Sequence, residues 1–140
     1  MPKPITPLVA VDALIRYSSD SIILIKRKNP PFKGILALPG GFVDVGEMVE
    51  EACIREAFEE TNIHVKIVRL IGVFSKPDRD PRGHNISVAF YCLPISEKVI
   101  PKAKDDASAL EIVPIKEISK LSLAFDHKDI IYASGIVNEL

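Results

Sequence analysis

Stretches of apolar residues, broken by short polar or proline-rich segments, set the outline of this chain. Residues 7–17 (PLVAVDALIRY) are apolar and rich in strand-forming side chains, and predict a first strand. The polar break SSD and the run SIILIK at 21–26 predict a hairpin turn and a second strand. The stretch KRKNPPFKG that follows is a loop, because Pro30 and Pro31 exclude a helix. Residues 35–38 predict a short strand ending in a tight Pro-Gly-Gly turn, and 65–75, 86–93 and 110–114 predict three more strands. Helical spacing appears at 47–61, 115–121 and 126–139. In the last of these Asp126 is placed to cap, Asp129 lies where the helix dipole favours an acid, and Ile130, Ile131, Ala133 and Val137 form a stripe that Gly135 weakens. Strands with one central and one terminal helix predict an α/β fold, a mixed sheet covered by helices on both faces.

Length and composition narrow the class. The chain has 140 residues, enough for one domain over 1–140 with a real core. It is 47% hydrophobic and 26% charged, as globular proteins are. A net charge of −1 provides no basic field for nucleic acid. The start, MPKPITP, has no apolar core for a secretory signal, and no run is long enough to span a membrane, so a cytoplasmic protein is expected. Cys53 and Cys92 fit no metal or redox spacing and read as buried thiols. The three histidines are far apart, which argues against zinc.

Charge changes the picture most at residues 41–63, GFVDVGEMVEEACIREAFEETNI. Six glutamates fall between Glu47 and Glu60 against one cation, Arg55. Like charges at i,i+4 cost about 0.2–0.5 kcal/mol a pair, and acids in the last turn oppose the helix dipole. Glu56, Glu59 and Glu60, spaced i, i+3, i+4, share one helix face. Three hard oxygen donors there suit Mg²⁺ or Mn²⁺, and a bound cation would reverse both penalties. Arg55 is expected to point elsewhere and reach Glu51 and Glu59, while Glu50 and Glu51 read as solvated surface. Val49, Cys53 and Ala57, with Ile54 and Phe58, form the face that docks on the sheet. Asn62 stands where a helix end favours a left-handed residue. The glycines of LPGG allow close backbone approach to a phosphate or metal.

This stretch resembles the Nudix box, G-x5-E-x7-R-E-U-x-E-E-x-G-U, where U is a bulky aliphatic residue. Gly41, Glu47, Arg55, Glu56, Glu59, Glu60 and Ile63 match; Ala57 replaces a larger aliphatic residue and Asn62 the last glycine. Six fixed positions tested over about a hundred windows give a chance match of order 10⁻⁶. The resemblance implies a Nudix-type α/β/α sandwich and hydrolysis of a nucleoside diphosphate linked to another group, with Mg²⁺ (or Mn²⁺) as cofactor. Glu56, Glu59 and Glu60, with the Gly40 carbonyl, are the implied ligands, and Glu56, Glu59 and Arg55 the implied catalytic residues.

Three further stretches, FSKPDRDPRGHNISVAF, AKDDASA and LAFDHK, resemble the ADP-ribose pyrophosphatase branch. They imply a small nucleotide substrate, with no nucleic acid or membrane partner, and by analogy a homodimer. Some relatives there carry an added winged helix, which this chain is not expected to have. Arg27, Arg79, Arg82 and Gly41 are the candidate substrate contacts, since a guanidinium donates to phosphate in pairs. The competing reading of residues 76–84 is a solvated loop shaped by Arg–Asp pairs, and capping and packing account for Asp126 and His127. Two departures stand out. Leu36 lies where relatives often have an aromatic residue, and Ala109 replaces a loop glutamate. The base is therefore open between Glu59, first, and Asp106 and Glu111. Alternatives to ADP-ribose hydrolysis are a house-cleaning nucleoside triphosphate pyrophosphatase and a non-catalytic nucleotide sensor.

Overall fold

The structure, a computed structural model, describes residues 2–96, 98–104 and 107–139. Strand β1 (Leu8–Tyr17) is apolar almost throughout because both of its faces are covered. Val11, Ala13 and Ile15 face one side with Ile23, Phe90 and Cys92, and meet Ala52, Cys53 and Ala57 of helix α1 (Val49–Thr61). Leu14, Ile22 and Leu24 face the other side with Ala89 and Val113. There they meet Ile115 and Ile118 of a 3-10 helix (Ile115–Lys120) and Ile130 and Ile131 of α2 (His127–Ser134). Period-two alternation thus divides one strand between two cores, each side chain worth about 1.5–3 kcal/mol on full burial. The result is a helix–sheet–helix stack with a mixed sheet, the expected α/β/α sandwich.

Along one edge β1 runs parallel to β6 (Asn85–Pro94), which carries the outer strand β5 (Val65–Phe74) antiparallel. Along its other edge β1 pairs antiparallel with β4 (Gly40–Phe42) and, at its end, with β2 (Ser21–Arg27). Strand β2 then pairs with β3 (Leu36–Ala37) and β7 (Ala107–Pro114).

Several local expectations are corrected. Pro-Gly-Gly does not form a tight turn: Gly40 and Gly41 are extended strand residues opposite Asp12 and Val11. Helix α1 starts at Val49 rather than at 47, because Glu47 turns back to accept the Asp44 N–H at 3.0 Å. Ile54 is exposed, and Ala52 takes its place in the docking face. Helix α2 ends at Ser134, since Gly135 is left-handed (φ 84°) and a 3-10 turn, Ile136–Glu139, follows. Ala133 therefore falls on the exposed side. Asn62 does close α1 in the left-handed region (φ 64°), its N–H donating to Phe58 O at 2.9 Å. Both cysteines are buried, with Sγ atoms 3.8 Å apart. No helix among the described residues is long and apolar enough to cross a membrane.

Candidate active site

Strand β4 lies between β1 and α1, and its two glycines are required by proximity. A Cβ on Gly40 would lie 2.2 Å from the Val11 carbonyl oxygen; one on Gly41 would lie 2.6 Å from both oxygens of Glu56. The Gly40 N–H donates to Glu60 Oε1 at 2.8 Å. Helix α1 therefore presses its carboxylates against bare backbone.

Arg55 does not point away from those carboxylates. Its Nε and Nη2 donate to Glu47 at 2.8 and 2.9 Å, and Nη1 donates to Glu56 at 2.7 Å and to Glu59 at 3.1 Å. Nη2 also reaches the Phe42 carbonyl at 3.1 Å. The expected Glu51 contact is replaced by Glu47, because Glu51 accepts the Met48 N–H at 2.9 Å and closes the helix start. Hydrogen bonds from Arg55, and then from the Asp44 backbone, bring the Glu47 carboxyl down to about 2. Asp44, Glu47, Glu56 and Glu59 thus surround a single guanidinium. Among the described residues no three carboxylates close around one point, since Arg55 sits between Glu56 and Glu59 while Glu60 turns to Gly40.

A cleft of about 390 Å³ gathers most of the expected residues. Gly40, Gly41, Asp44, Glu56 and Glu60 line it together with Arg27, Arg79 and Arg82. Glu59 is not in the lining; its side chain is 40% exposed behind Arg55. Glu111 is exposed on β7 opposite Leu24, also outside the lining. Asp106 lies outside the described residues. In the loop 76–84 the Arg–Asp pairing is real: Arg79 donates twice to Asp126, at 2.9 and 2.6 Å, and Arg82 pairs with Asp80. Asp126 stands at the cap position just before α2 but offers that helix no side-chain cap, because Arg79 holds its carboxylate.

Asp12 was not foreseen. It lines the cleft, is 6% exposed, accepts from the Ser87 hydroxyl and lies 3.9 Å from Arg79. His127 Nδ1 accepts the Leu38 N–H at 2.9 Å, so Nε2 carries the ring proton and faces Asp12 at 3.3 Å. Burial alone would raise the Asp12 carboxyl, but His127, Ser87 and Arg79 outweigh it and hold it below its ordinary value. The signal was present as a lone carboxylate inside an apolar strand, where a buried charge needs partners.

The same balance fixes Asp80. Burial opposes its charge, while Arg82 and Asn85 lower it from 3.8 to about 2. A depressed folded-state value contributes stability above the unfolded value, and that contribution disappears as pH falls through the folded one. Denaturant midpoints should therefore drop between pH 4 and 2, and Asp80→Asn should flatten that drop by up to about 1.4 kcal/mol per pH unit. An unchanged slope in the variant would remove Asp80 from the balance.

Residues 6–133 match the NUDIX domain family. The chain belongs to this family. It is 53% identical over 125 residues to an ADP-ribose pyrophosphatase of Methanocaldococcus jannaschii, covering 89% of this chain and 71% of that protein. The NUDIX domain of Shewanella oneidensis NrtR in complex with ADP-ribose superposes with a TM-score of 0.82 at 26% identity, covering 93% of this chain and 87% of that one. A bifunctional NMN adenylyltransferase/ADP-ribose pyrophosphatase from Francisella tularensis, bound to AMP and a manganese ion, gives a TM-score of 0.77 at 34% identity. That match covers 91% of this Nudix chain and 40% of the bifunctional one.

Proposed function

We propose that this Nudix pyrophosphohydrolase hydrolyses ADP-ribose to AMP and ribose 5-phosphate with the aid of Mg²⁺ or Mn²⁺. The observation that carries the reading is one cleft lined both by Glu56 and Glu60 and by Arg27, Arg79 and Arg82, on the scaffold of relatives named for ADP-ribose. A pyrophosphate is repelled by carboxylates alone and is held by guanidinium groups.

The donor set fits a hard divalent cation. Carboxylate oxygens are its preferred ligands, and four carboxylates around one guanidinium, with Glu60 next to them on the Gly40 N–H, leave negative charge to be balanced. Glu56 and Glu60, which line the cleft, would hold it, with Glu59 behind them. When bound, such an ion polarises phosphoryl oxygens and lowers the pKa of a water molecule. Arg55 fixes the rotamers of Glu56 and Glu59, and the Gly40 N–H fixes Glu60. Arg79 and Arg82 line the same cleft and would meet the substrate phosphates. A water oxygen attacks phosphorus, the bond from phosphorus to the bridging oxygen breaks, and the water's proton passes to a carboxylate of this cluster.

Purified protein with Mg²⁺ or Mn²⁺ should convert ADP-ribose to AMP and ribose 5-phosphate and cleave nucleoside triphosphates poorly. Chromatography of the products over a substrate panel checks this. The reverse preference would favour the house-cleaning reading. Tight ADP-ribose binding by calorimetry without any AMP formed would favour a sensor.

A further inference from the structure

Two guanidinium groups of the cleft face three carboxylates. Arg82 pairs with Asp80 at 2.8 Å. Arg79 gives Nε and Nη2 to Asp126, and the same Nη2 lies 3.9 Å from Asp12. Asp126 and Asp80 already balance the two cations, so Asp12 is the carboxylate in excess. A buried charge is costly unless the protein replaces its water.

Several groups serve that charge. The Ser87 hydroxyl donates to Asp12 Oδ2, and His127 Nε2, oriented through the Leu38 N–H, faces Oδ1 at 3.3 Å. Gly40 leaves the room, since a Cβ there would lie 2.6 Å from Oδ1. Asp12 thus stands between Arg79 and the strand whose Gly40 N–H holds Glu60. Hydrogen bonding alone does not require a charge here. An asparagine with Oδ1 toward His127 and Nδ2 toward the Ser87 oxygen would satisfy both neighbours.

Arg79 connects Asp12 to a ligand. Its side chain is 5% exposed and lines the cleft, and among the described residues its Nη1 has no hydrogen-bond partner. Nη1 is therefore the donor left for a phosphoryl oxygen, and Asp12 lies beside the neighbouring Nη2.

We infer that Asp12 determines specificity: acting through Arg79, it lowers the positive potential of the cleft, so that a pyrophosphate diester is accepted and a nucleoside triphosphate is disfavoured. The inference rests on the reading that ADP-ribose is the substrate. A diester has no terminal phosphoryl group, whereas a triphosphate adds one whose second ionisation has a pKa of about 6. Charges close together in a partly buried site are weakly screened, so one extra fixed carboxylate acts most on the more highly charged ligand. Specificity is a difference of affinities, and a repulsive element is one way to build it.

The ratio of kcat/KM for ADP-ribose to kcat/KM for ATP, at one fixed free Mg²⁺ concentration, tests this in the native protein, Asp12→Asn and Ser87→Ala. A ratio taken on one preparation does not depend on the fraction that is folded, so a purely structural role for Asp12 would not move it. In Asp12→Asn the ratio should fall about tenfold or more, chiefly through a lower KM for ATP. Ser87→Ala removes a hydrogen bond and keeps the charge, so its ratio should stay within about twofold of native. Where ATP turns over too slowly to measure, its inhibition constant against ADP-ribose takes its place. If Asp12→Asn does not fold, Asp126→Asn removes the other carboxylate from Arg79 and should shift the ratio in the same direction. A ratio within about twofold of native in the folded charge-removing variant, or an equal fall in Ser87→Ala, would overturn the assignment. If the native protein leaves ADP-ribose intact, the substrate reading fails by itself, and calorimetry with AMP and ATP decides the rest. A selective gain in ATP affinity in Asp12→Asn then upholds the role of Asp12, and no gain removes it.

Discussion

Glu56→Gln should fold normally and lose almost all turnover. The substitution is isosteric, so the side chain can still lie against Gly41, where a Cβ would come within 2.6 Å of its oxygens. Arg55 keeps Glu47 and Glu59 as partners, so losing one of its ion pairs should cost less than about 1 kcal/mol of stability. Relief of like-charge repulsion along α1 offsets part of even that. Turnover answers to a different quantity. The amide removes a full negative charge and one hard donor from the cleft wall. Lewis-acid stabilisation is worth several kcal/mol, so kcat should fall on the order of a thousandfold or more. Glu50→Gln is the matched control, because Glu50 is exposed in the first turn of the same helix and should leave kcat as it was. Steady-state rates at saturating ADP-ribose and Mg²⁺, with thermal melts of both variants, would decide it. A Glu56→Gln enzyme within about tenfold of native, a difference of only ~1.4 kcal/mol, would sink the role given to this carboxylate.

What could be read from the chain alone follows from how local each feature is. The helix that carries Glu56, Glu59 and Glu60 and the left-handed Asn62 that ends it depend on local periodicity, which a sequence displays directly, and both were legible. The doubly covered β1 was legible as an apolar run. Features made by distant segments were not. Arg55 is paired with Glu47 rather than Glu51 because the loop before α1 folds back on it, which helical spacing cannot reveal. Arg79 and Asp126 are 47 residues apart, and their pairing turns an expected helix cap into a loop clamp. Asp12 meets Ser87 only because β1 and β6 run parallel in that register, which sets Asp12 opposite Ala89 and Ala10 opposite Ser87. The two glycines were read for a tight turn, which they do not form, and for close approach to a phosphate or metal, whereas their missing side chains make room for Val11 and Glu56.

That last point yields a pair of substitutions with opposite outcomes. Gly40→Ala should damage the fold, and Gly41→Ala should damage catalysis. The two residues are neighbours in one extended strand, so intrinsic backbone preference does not separate them. What each new methyl group would meet does. At Gly40 the obstacle is backbone: the Val11 carbonyl oxygen at 2.2 Å and Asp12 Cα at 3.1 Å. Both belong to β1, which is held against β6 from Leu8↔Asn85 to Ile15↔Cys92 and cannot yield without loosening the sheet. Overpacking of that kind falls in the upper range for single substitutions, about 3 kcal/mol or more, which lowers the melting temperature by roughly 10 °C or more. At Gly41 the obstacle is the carboxylate end of Glu56, which can rotate aside. Doing so breaks its 2.7 Å hydrogen bond with Arg55 and moves it from the cleft wall. The melting temperature should then fall by only a few degrees, about 1 kcal/mol, while displacement of a catalytic group by about 1 Å costs on the order of a hundredfold in rate. Melting curves and kcat for the two variants, measured side by side, test the division. A Gly41→Ala protein as unstable as Gly40→Ala would mean that Gly41 serves the strand, and one with native kcat would mean that Glu56 need not stay where α1 presses it.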